Sequence, residues 1–195
     1  MNCALLLIGA PGSGKSAVLD ALAPLLEVEE IEHGAIESEQ LARGLPLLEA
    51  EAWVAQLASV LALQREAGRS LFLIVATTET EEQLRGVLQA ARAERSLVIA
   101  LRAPAELVGE RLARREPDGW PGKLGLIAHA RALAEVIPRL AGVDAVIDTA
   151  ERAPEEVAAE IHREMSRREL IPTPRDVRPG ADSARQESGG PSVAS

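Results

Sequence analysis

A glycine-rich run near the amino end constrains this chain more than any other feature. It reads Gly9-Ala-Pro-Gly-Ser-Gly-Lys-Ser16 and directly follows an apolar run at 4–8. The run fits the pattern G-x-x-x-x-G-K-[ST] at every position. A helical pattern begins at Lys15, and we expect it to extend to about residue 23, where Pro24 ends or kinks it. The run therefore joins a predicted strand to a predicted helix, which is the context that this motif requires.

The same run predicts a site for a polyphosphate. Glycines let the backbone curl so that successive N–H groups point inward, and the helix N-terminus adds its own donors. Lys15 is expected to reach the β and γ phosphates, and Ser16 to ligate Mg²⁺. The predicted nucleotide-binding residues of the run are Gly9, Ala10, Pro11, Gly12, Ser13, Gly14, Lys15, Ser16 and Ala17. The sequence thus predicts binding of a nucleoside triphosphate with Mg²⁺, and it leaves the choice between ATP and GTP open.

Along the rest of the chain, apolar runs of strand length alternate with helical patterns. The predicted strands are 4–8, 29–33, 70–76, 97–101 and 145–147. The later predicted helices begin at about 48, after a capping box at Thr80 and Gln83, at Pro104, at about 124 and at Pro154. The strands are apolar throughout, which is typical of parallel strands covered by helices on both faces. We therefore expect an α/β fold.

Composition separates one domain from a tail. The chain has 195 residues, 47% of them apolar, which suits one domain of about 150 residues with a short extension. Beyond residue 171, apolar residues become rare, and four prolines mix with glycine, serine and charged residues. We expect a domain over 1–171 and a disordered tail over 172–195.

The charge balance excludes several classes of partner. Lys plus Arg number 21 against 30 Asp plus Glu, a net charge of −9, so no overall attraction draws the chain to nucleic acid or to an anionic membrane. No apolar run approaches the ~20 residues of a membrane-spanning helix. Cys3 is the single cysteine, so no internal disulfide is possible. We expect a cytoplasmic protein, a monomer or a homodimer, that binds neither nucleic acid nor membranes.

From residue 4 to about 168 the chain resembles the small P-loop kinases, such as shikimate kinase, gluconate kinase and chloramphenicol phosphotransferase. Besides the run at 9–16, the resemblance rests on a Pro-opened helix with an Arg-rich exit at 101–115, the last strand and helix start at 145–157, and Gly-Ala-Ile-Glu-Ser at 34–38. It implies a three-layer P-loop NTPase fold with a five-stranded parallel sheet of order 2-3-1-4-5. It also implies transfer of the γ-phosphoryl group of ATP to a hydroxyl of a small molecule.

The resemblance assigns residues to the adenine. Arg111 falls where the family stacks an arginine on the base. Arg152 and Pro154 fall in the loop after the last strand, which in the family covers the other side of the base. These three residues are therefore the predicted contacts with the adenine base.

The irregular segment at about 115–123 corresponds to the LID of the family, a loop that closes over the phosphates. Arg114 and Arg115 lead into it, and they are the predicted cations that neutralise the transferring phosphoryl group. Lys123 is a further candidate for that role.

Glu37 corresponds to the acidic residue with which the phosphotransferase of the family takes a proton from the acceptor hydroxyl. A carboxylate beyond the end of the second strand is suited to this task, and Glu37 is the predicted base. Glu32, Glu39 and Arg43 are nearby candidates for contact with the acceptor. A glutamate in place of the family's aspartate adds one methylene group.

Two alternatives to a small-molecule kinase remain open. Arg43 lies roughly where nucleoside monophosphate kinases hold the acceptor phosphate, which would make a nucleotide the acceptor. The third predicted strand ends in Val75-Ala-Thr-Thr-Glu79, without the aspartate of a Walker B strand. That departure favours a nucleotide-binding module or NTPase without small-molecule kinase activity.

Overall fold

The computed structural model describes residues 1–46 and 48–172. In these ranges the strands are β1 Cys3–Ile8, β2 His33–Glu37, β3 Leu71–Ala76, β4 Arg95–Arg102 and β5 Ala145–Asp148. The helices are α1 Lys15–Val28, α2 Ser38–Leu41, α3 Ala50–Glu66, α4 Glu81–Ala91, α5 Ala105–Arg115, α6 Lys123–Val136 and α7 Pro154–Arg167, with a 3-10 helix at Ile137–Arg139. The predicted tail at 172–195 lies outside the described residues, except for Pro172.

The strands form one parallel sheet in the order β2-β3-β1-β4-β5, which confirms the predicted order. In its register, Ile8 of β1 lies between Ala76 of β3 and Ala100 of β4. Both β1 and β3 are buried along their whole length, because helices cover both faces of the sheet. The carboxyl ends of the strands meet at one edge, which we call the rim, and the loops that follow them lie together there.

Alternate residues of β1 point into two apolar layers. Leu6 and Ile8 pack in a core with α3, α4, α5 and α6. Leu5 and Leu7 pack on the other face with α1 and α7. This arrangement confirms a three-layer fold with helices on both sides of the sheet. None of the helices in the described ranges combines the length and the apolar character that crossing a membrane requires.

The second strand is displaced from its predicted position. The sequence predicts it at 29–33, whereas β2 is His33–Glu37. Helix α1 extends further than expected, and its end is closed by Ile31 N–H, which donates to Leu26 O at 2.9 Å. The residues predicted as a strand are therefore used to terminate this helix. The shift places Glu37 at the carboxyl end of β2, on the rim.

Helix α1 runs through Pro24 instead of ending there. Pro24 is exposed, and so is Asp20, whose carbonyl loses its usual donor; water can satisfy that carbonyl. Leu22 and Leu26 are fully buried on the other side of the helix. Their burial stabilises the helix by roughly 2 kcal/mol each, which offsets the lost hydrogen bond.

Thr80 caps α4 as predicted, whereas the return contact of Gln83 goes to the residue before Thr80. Gln83 N–H donates to Thr80 Oγ1 at 3.2 Å, and the Gln83 side chain accepts from Glu79 N–H at 2.7 Å. Helix α3, Ala50–Glu66, begins close to its predicted start at about 48. The four-residue helix α2 was not predicted, and it begins directly where β2 ends.

Candidate active site

The run at 9–16, which we call the cradle, forms a tight loop between β1 and α1. Ser13 N–H donates to Ala10 O at 3.0 Å within the loop. Gly12 and Gly14 have φ values of 86° and 98°, in a region that side chains disfavour. A Cβ on Gly12 would lie only 3.1 Å from the carbonyl oxygen of Val108. Glycine is therefore favoured at both positions by the backbone conformation, and at Gly12 also by the close approach of α5.

The side chain of Lys15 is folded over the cradle. Its ammonium donates to Gly9 O at 2.9 Å, to Ala10 O at 3.3 Å and to Thr77 Oγ1 at 2.9 Å. Only 6% of the side chain is exposed. Because Thr77 follows β3 directly, the ammonium connects the ends of β1 and β3 at the rim.

Burial and neighbouring charges act on the pKa of Lys15 in opposite directions. Burial has the largest effect and lowers the pKa below the ordinary value of a lysine, and the Arg115 guanidinium lowers it further. The carboxylates of Glu39 and Glu37 oppose this shift, and Glu39 Oε1 lies 3.8 Å from Lys15 Nζ. A buried ammonium, two carboxylates and the end of α5 therefore share one site.

Two serines of the cradle offer hydroxyl groups. Ser13 Oγ is buried and has no hydrogen-bond partner among the described residues, and Ser16, in the first turn of α1, is exposed. Residues 1–46 and 48–172 contain no group of three or more His, Cys, Asp and Glu side chains placed to hold a metal ion. Mg²⁺ commonly binds through one or two protein oxygens, phosphate oxygens and water. The Ser16 hydroxyl together with a bound polyphosphate is thus a fitting donor set.

The structure separates the candidate contacts for an acceptor. Glu37 lies at the rim and accepts from Gln40 Nε2 at 3.3 Å, and Glu39 is in contact with the cradle through Lys15. Glu32 directly precedes β2, so it lies at the amino ends of the strands, away from the rim. Arg43 follows α2 and is exposed. Of these candidates, the structure therefore brings the glutamates at 37 and 39 together with Lys15 at the rim.

A buried serine between these two glutamates fixes their position. Ser38 Oγ donates to Val75 O at 2.8 Å, and Trp53 Nε1 donates to Ser38 O at 2.9 Å. These bonds join the start of α2 to β3 and to α3. Sequence reasoning missed this role, although a small polar residue directly after a strand was a usable signal.

Arg111 connects the cradle to the loop after β5. Its Nη1 donates to Gly12 O at 3.2 Å, and its Nη2 donates to Thr149 O at 3.0 Å. Thr149 is buried, and its hydroxyl donates to Ser13 O at 2.8 Å. From the strand order, this pair lies on the β4–β5 side of the cradle, opposite to Glu37. Thr149 was not singled out from the sequence, although it immediately follows the last strand.

The other two predicted base contacts lie further along the same loop. Arg152 Nη1 contacts Glu160 Oε2 at 2.7 Å, and Arg152 Nη2 donates to Glu156 O at 3.2 Å. Its side chain thus follows α7 and lines a groove between α1 and α7. Pro154 is the first residue of α7. Of the three predicted base contacts, the structure brings Arg111 onto the cradle and turns Arg152 toward α7.

Residues 116–122, the lid segment, join α5 to α6 without regular secondary structure, as predicted. Arg115 contacts the carboxylate of Glu116 at 2.7 Å. It follows Arg111 by one helical turn, so both lie on the side of α5 that faces the cradle. The side chain of Arg114 is 84% exposed. The structure therefore separates the two predicted catalytic arginines and places Arg115 near Lys15.

Lys123 lies at the other end of the lid segment. Its ammonium donates to Glu116 O at 2.8 Å and to Asp118 Oδ1 at 2.7 Å, and this contact lowers the pKa of the Asp118 carboxyl. The ring of Trp120 lies against Gly122. The lid segment is thus held by contacts within itself.

A protein-family model with the description AAA domain matches residues 5–138. The chain belongs to this family of P-loop kinase-like domains. No curated protein sequence matches the chain.

Solved structures with the same fold agree with this assignment. Shikimate kinase from Acinetobacter baumannii, in complex with shikimate, has a TM-score of 0.56 at 18% identity, over 88% of this chain and 97% of that chain. APS kinase from Mycobacterium tuberculosis, in complex with AMPPNP and APS, has a TM-score of 0.60 at 18% identity, over 85% and 98%. The Deinococcus radiodurans tunicamycin resistance protein has a TM-score of 0.58 at 17% identity, over 85% and 96%. These likenesses confirm the predicted P-loop kinase fold.

Proposed function

We propose that this protein is an ATP-dependent phosphotransferase that moves the γ-phosphoryl group to a hydroxyl of a small molecule. The observation that carries the proposal is the distance of 3.8 Å between Lys15 Nζ and Glu39 Oε1, with Glu37 close enough to affect the same ammonium. A cation for phosphate and carboxylates for a hydroxyl thus lie in one site. The APS kinase complex with AMPPNP supports a nucleotide as one substrate.

Binding of the triphosphate rests on the cradle. Its N–H groups and Lys15 bind the phosphates, and Lys15 exchanges its carbonyl contacts for phosphate oxygens. Ser16 holds Mg²⁺, which neutralises phosphate charge when bound. Arg111 adjoins the adenine base, and Pro154 bounds its outer side. Arg152 would join Pro154 there only after its side chain leaves Glu160. A buried, unpartnered hydroxyl at Ser13 supports a ligand in this loop.

Transfer joins the acceptor oxygen to the γ-phosphorus and breaks the bond between that phosphorus and the bridging oxygen, which leaves with ADP. The hydroxyl proton passes to the carboxylate of Glu37, the proposed general base. Arg115 neutralises charge on the transferring group. Arg114, the other arginine predicted for this role, would have to turn inward from its exposed position.

The test is a panel of hydroxylated metabolites, antibiotics and nucleoside monophosphates, each incubated with ATP and Mg²⁺ and analysed by mass spectrometry for a phosphorylated product. We expect the compounds of one chemical class in this panel to gain a phosphoryl group on a hydroxyl. Lys15→Met should abolish that product, and Glu27→Gln, an exposed change on α1, should leave it unchanged. Tight ATP binding without phosphorylation of any compound would contradict the proposal.

A second candidate is a nucleotide-binding module without transferase activity. The residue that follows β3 favours this candidate. It is Thr77, whose hydroxyl accepts from Lys15 Nζ, whereas a carboxylate at the same position would help to bind Mg²⁺. For such a module we expect slow ATP hydrolysis that no acceptor accelerates. Product formation with AMP, CMP, GMP or UMP alone would instead identify a nucleoside monophosphate kinase, with Arg43 as the candidate phosphate contact.

A further inference from the structure

One acidic residue of the lid segment contacts both of the cations that flank it. Glu116 Oε1 lies 2.7 Å from Nε and 2.7 Å from Nη2 of Arg115. The main-chain carbonyl of Glu116 accepts from Lys123 Nζ at 2.8 Å. Because Arg115 ends α5 and Lys123 begins α6, a single residue holds the two cations at the two ends of the lid segment.

The contact with Glu116 uses one edge of the Arg115 guanidinium. Nε and Nη2 are engaged, and Nη1 has no partner in residues 1–46 and 48–172. A planar guanidinium held at one edge by a carboxylate presents its remaining N–H groups in a fixed direction. The Arg115 side chain is 60% exposed, so without this contact it would sample many rotamers.

Glu116 is itself restrained, unlike the other acidic residue of the lid segment. Its N–H donates to Leu112 O at 2.9 Å, which continues the hydrogen bonding of α5, and its side chain is only 20% exposed. Asp118 is fully exposed. The carboxylate of Glu116 therefore has a position that the fold determines, which is the property that a positioning group needs.

We propose that Glu116 is a positioning residue that orients Arg115 toward the γ-phosphoryl group of a bound nucleotide. This role rests on the proposed function, because it requires a triphosphate in the cradle. Glu116 does not touch the nucleotide, and it acts through Arg115. Since a pre-oriented side chain loses less conformational freedom on binding, Glu116 favours a triphosphate over a diphosphate in the same cradle.

The test compares the dissociation constants of AMPPNP and ADP, each with Mg²⁺, by titration calorimetry. Their ratio isolates the γ-phosphoryl contact from effects on the rest of the nucleotide. In Glu116→Gln the carbonyl that binds Lys123 is retained and the carboxylate charge is lost. We expect the preference for AMPPNP to fall by about 3- to 10-fold. The matched control is Glu110→Gln, which removes the carboxylate paired with Arg114 on the same helix and should leave the ratio unchanged.

A double-mutant comparison separates positioning from a general structural effect. Arg115→Met should lower the preference for AMPPNP, and adding Glu116→Gln to it should cause no further fall. Thermal melting checks that each variant is folded, and Glu116→Asp, which keeps the charge, should restore part of the preference.

An unchanged ratio in Glu116→Gln, no effect of Arg115→Met, or an equal further fall in the double variant would overturn the role of Glu116. If the wild-type chain binds neither nucleotide, the proposed function fails and this role fails with it. Binding of both nucleotides with an unchanged ratio removes the role of Glu116 alone.

Discussion

The hydroxyl of Thr149 donates a hydrogen bond to the main-chain carbonyl of Ser13 at 2.8 Å. It also lies 3.2 Å from the carbonyl oxygen of Arg102, so one buried hydroxyl joins the cradle to the ends of β4 and β5. Arg111 adds a second connection through Gly12 O. The cradle is therefore supported by residues that are distant in sequence and lie on the side where we propose the adenine base binds.

Replacing Thr149 by Val removes this hydroxyl with little change in volume. Ser13 O then loses a buried donor, and we expect the free energy of unfolding to fall by about 1–3 kcal/mol and the affinity for ATP to fall with it. Urea denaturation and titration calorimetry measure the two effects. Thr149→Ser keeps the hydroxyl and is the control. If Thr149→Val is as stable as the wild type, the hydrogen bond contributes nothing.

Protonation of Lys15 links nucleotide binding to pH. Burial lowers the pKa of this residue, so the free protein loses the ammonium charge at a lower pH than an ordinary lysine would. Phosphate binding favours the charged form, and the affinity for ATP should fall as pH rises, by up to about tenfold per pH unit above that pKa. Calorimetry between about pH 7 and about pH 10 measures the fall. Lys15→Met should lack it, and a wild-type affinity that stays level across the range would contradict the shift.

The lowered pKa of Lys15 also makes the stability of the nucleotide-free protein depend on pH, in the direction opposite to the affinity for ATP. Because the folded pKa of Lys15 lies below its unfolded value, the unfolded chain binds more protons in the interval between them. The free energy of unfolding therefore rises with pH through that interval. Urea denaturation at several alkaline pH values should show this contribution in the wild type and its absence in Lys15→Met. Parallel pH profiles of the two proteins would argue against a buried ammonium.

The fold could be predicted from the sequence wherever a strand is buried on both faces. β1 and β3 are continuous apolar runs, and their positions were predicted to within one residue. β2 could not be placed in this way, because it pairs on one side only and buries just Gly34 and Ile36. The segment predicted instead, 29–33, has one apolar residue against two in 33–37. So small a difference does not place a strand, and the extension of α1 decides between the two segments.

The cradle could be predicted because its shape depends on local backbone conformation, which the glycines reveal. The residues that support it could not, because their contacts depend on strand register. Ser38 meets Val75, and Thr149 meets Ser13, only after the sheet has formed. The distinction between Arg114 and Arg115 follows from which face of α5 packs on the core, and charge alone does not reveal that face.

The two glutamates at the rim have different expected roles. Glu37→Gln removes the proposed base, and we expect it to slow phosphoryl transfer by about 10²- to 10⁴-fold with little change in ATP affinity. Glu39→Gln removes the carboxylate that contacts Lys15, which frees the ammonium for phosphate and should tighten ATP binding. Transfer rates with the acceptor found by the panel, and calorimetry with ATP, measure both. If the rate falls in Glu39→Gln and not in Glu37→Gln, the proton passes to Glu39.

A side chain at position 12 should disturb the cradle for two reasons, backbone strain and contact with α5. The φ of 86° strains any residue with a Cβ, and that Cβ would lie 3.1 Å from Val108 O and 3.3 Å from Leu112 Cγ. We expect Gly12→Ala to lower the free energy of unfolding by about 1–3 kcal/mol and to weaken ATP binding, since the loop must shift away from α5. Urea denaturation and calorimetry measure these effects.

Gly125→Ala is the matched control for this change. Gly125 lies inside α6, and a Cβ there meets nothing within 4 Å among the described residues. Alanine is the better helix former, so this variant should be stabilised by up to about 1 kcal/mol and bind ATP as the wild type does. Stabilisation by both substitutions would mean that Gly12 is not held in its left-handed conformation. If Gly12→Ala lowers the stability and leaves the ATP affinity unchanged, the glycine is needed for the packing of α5 and not for the shape of the phosphate site.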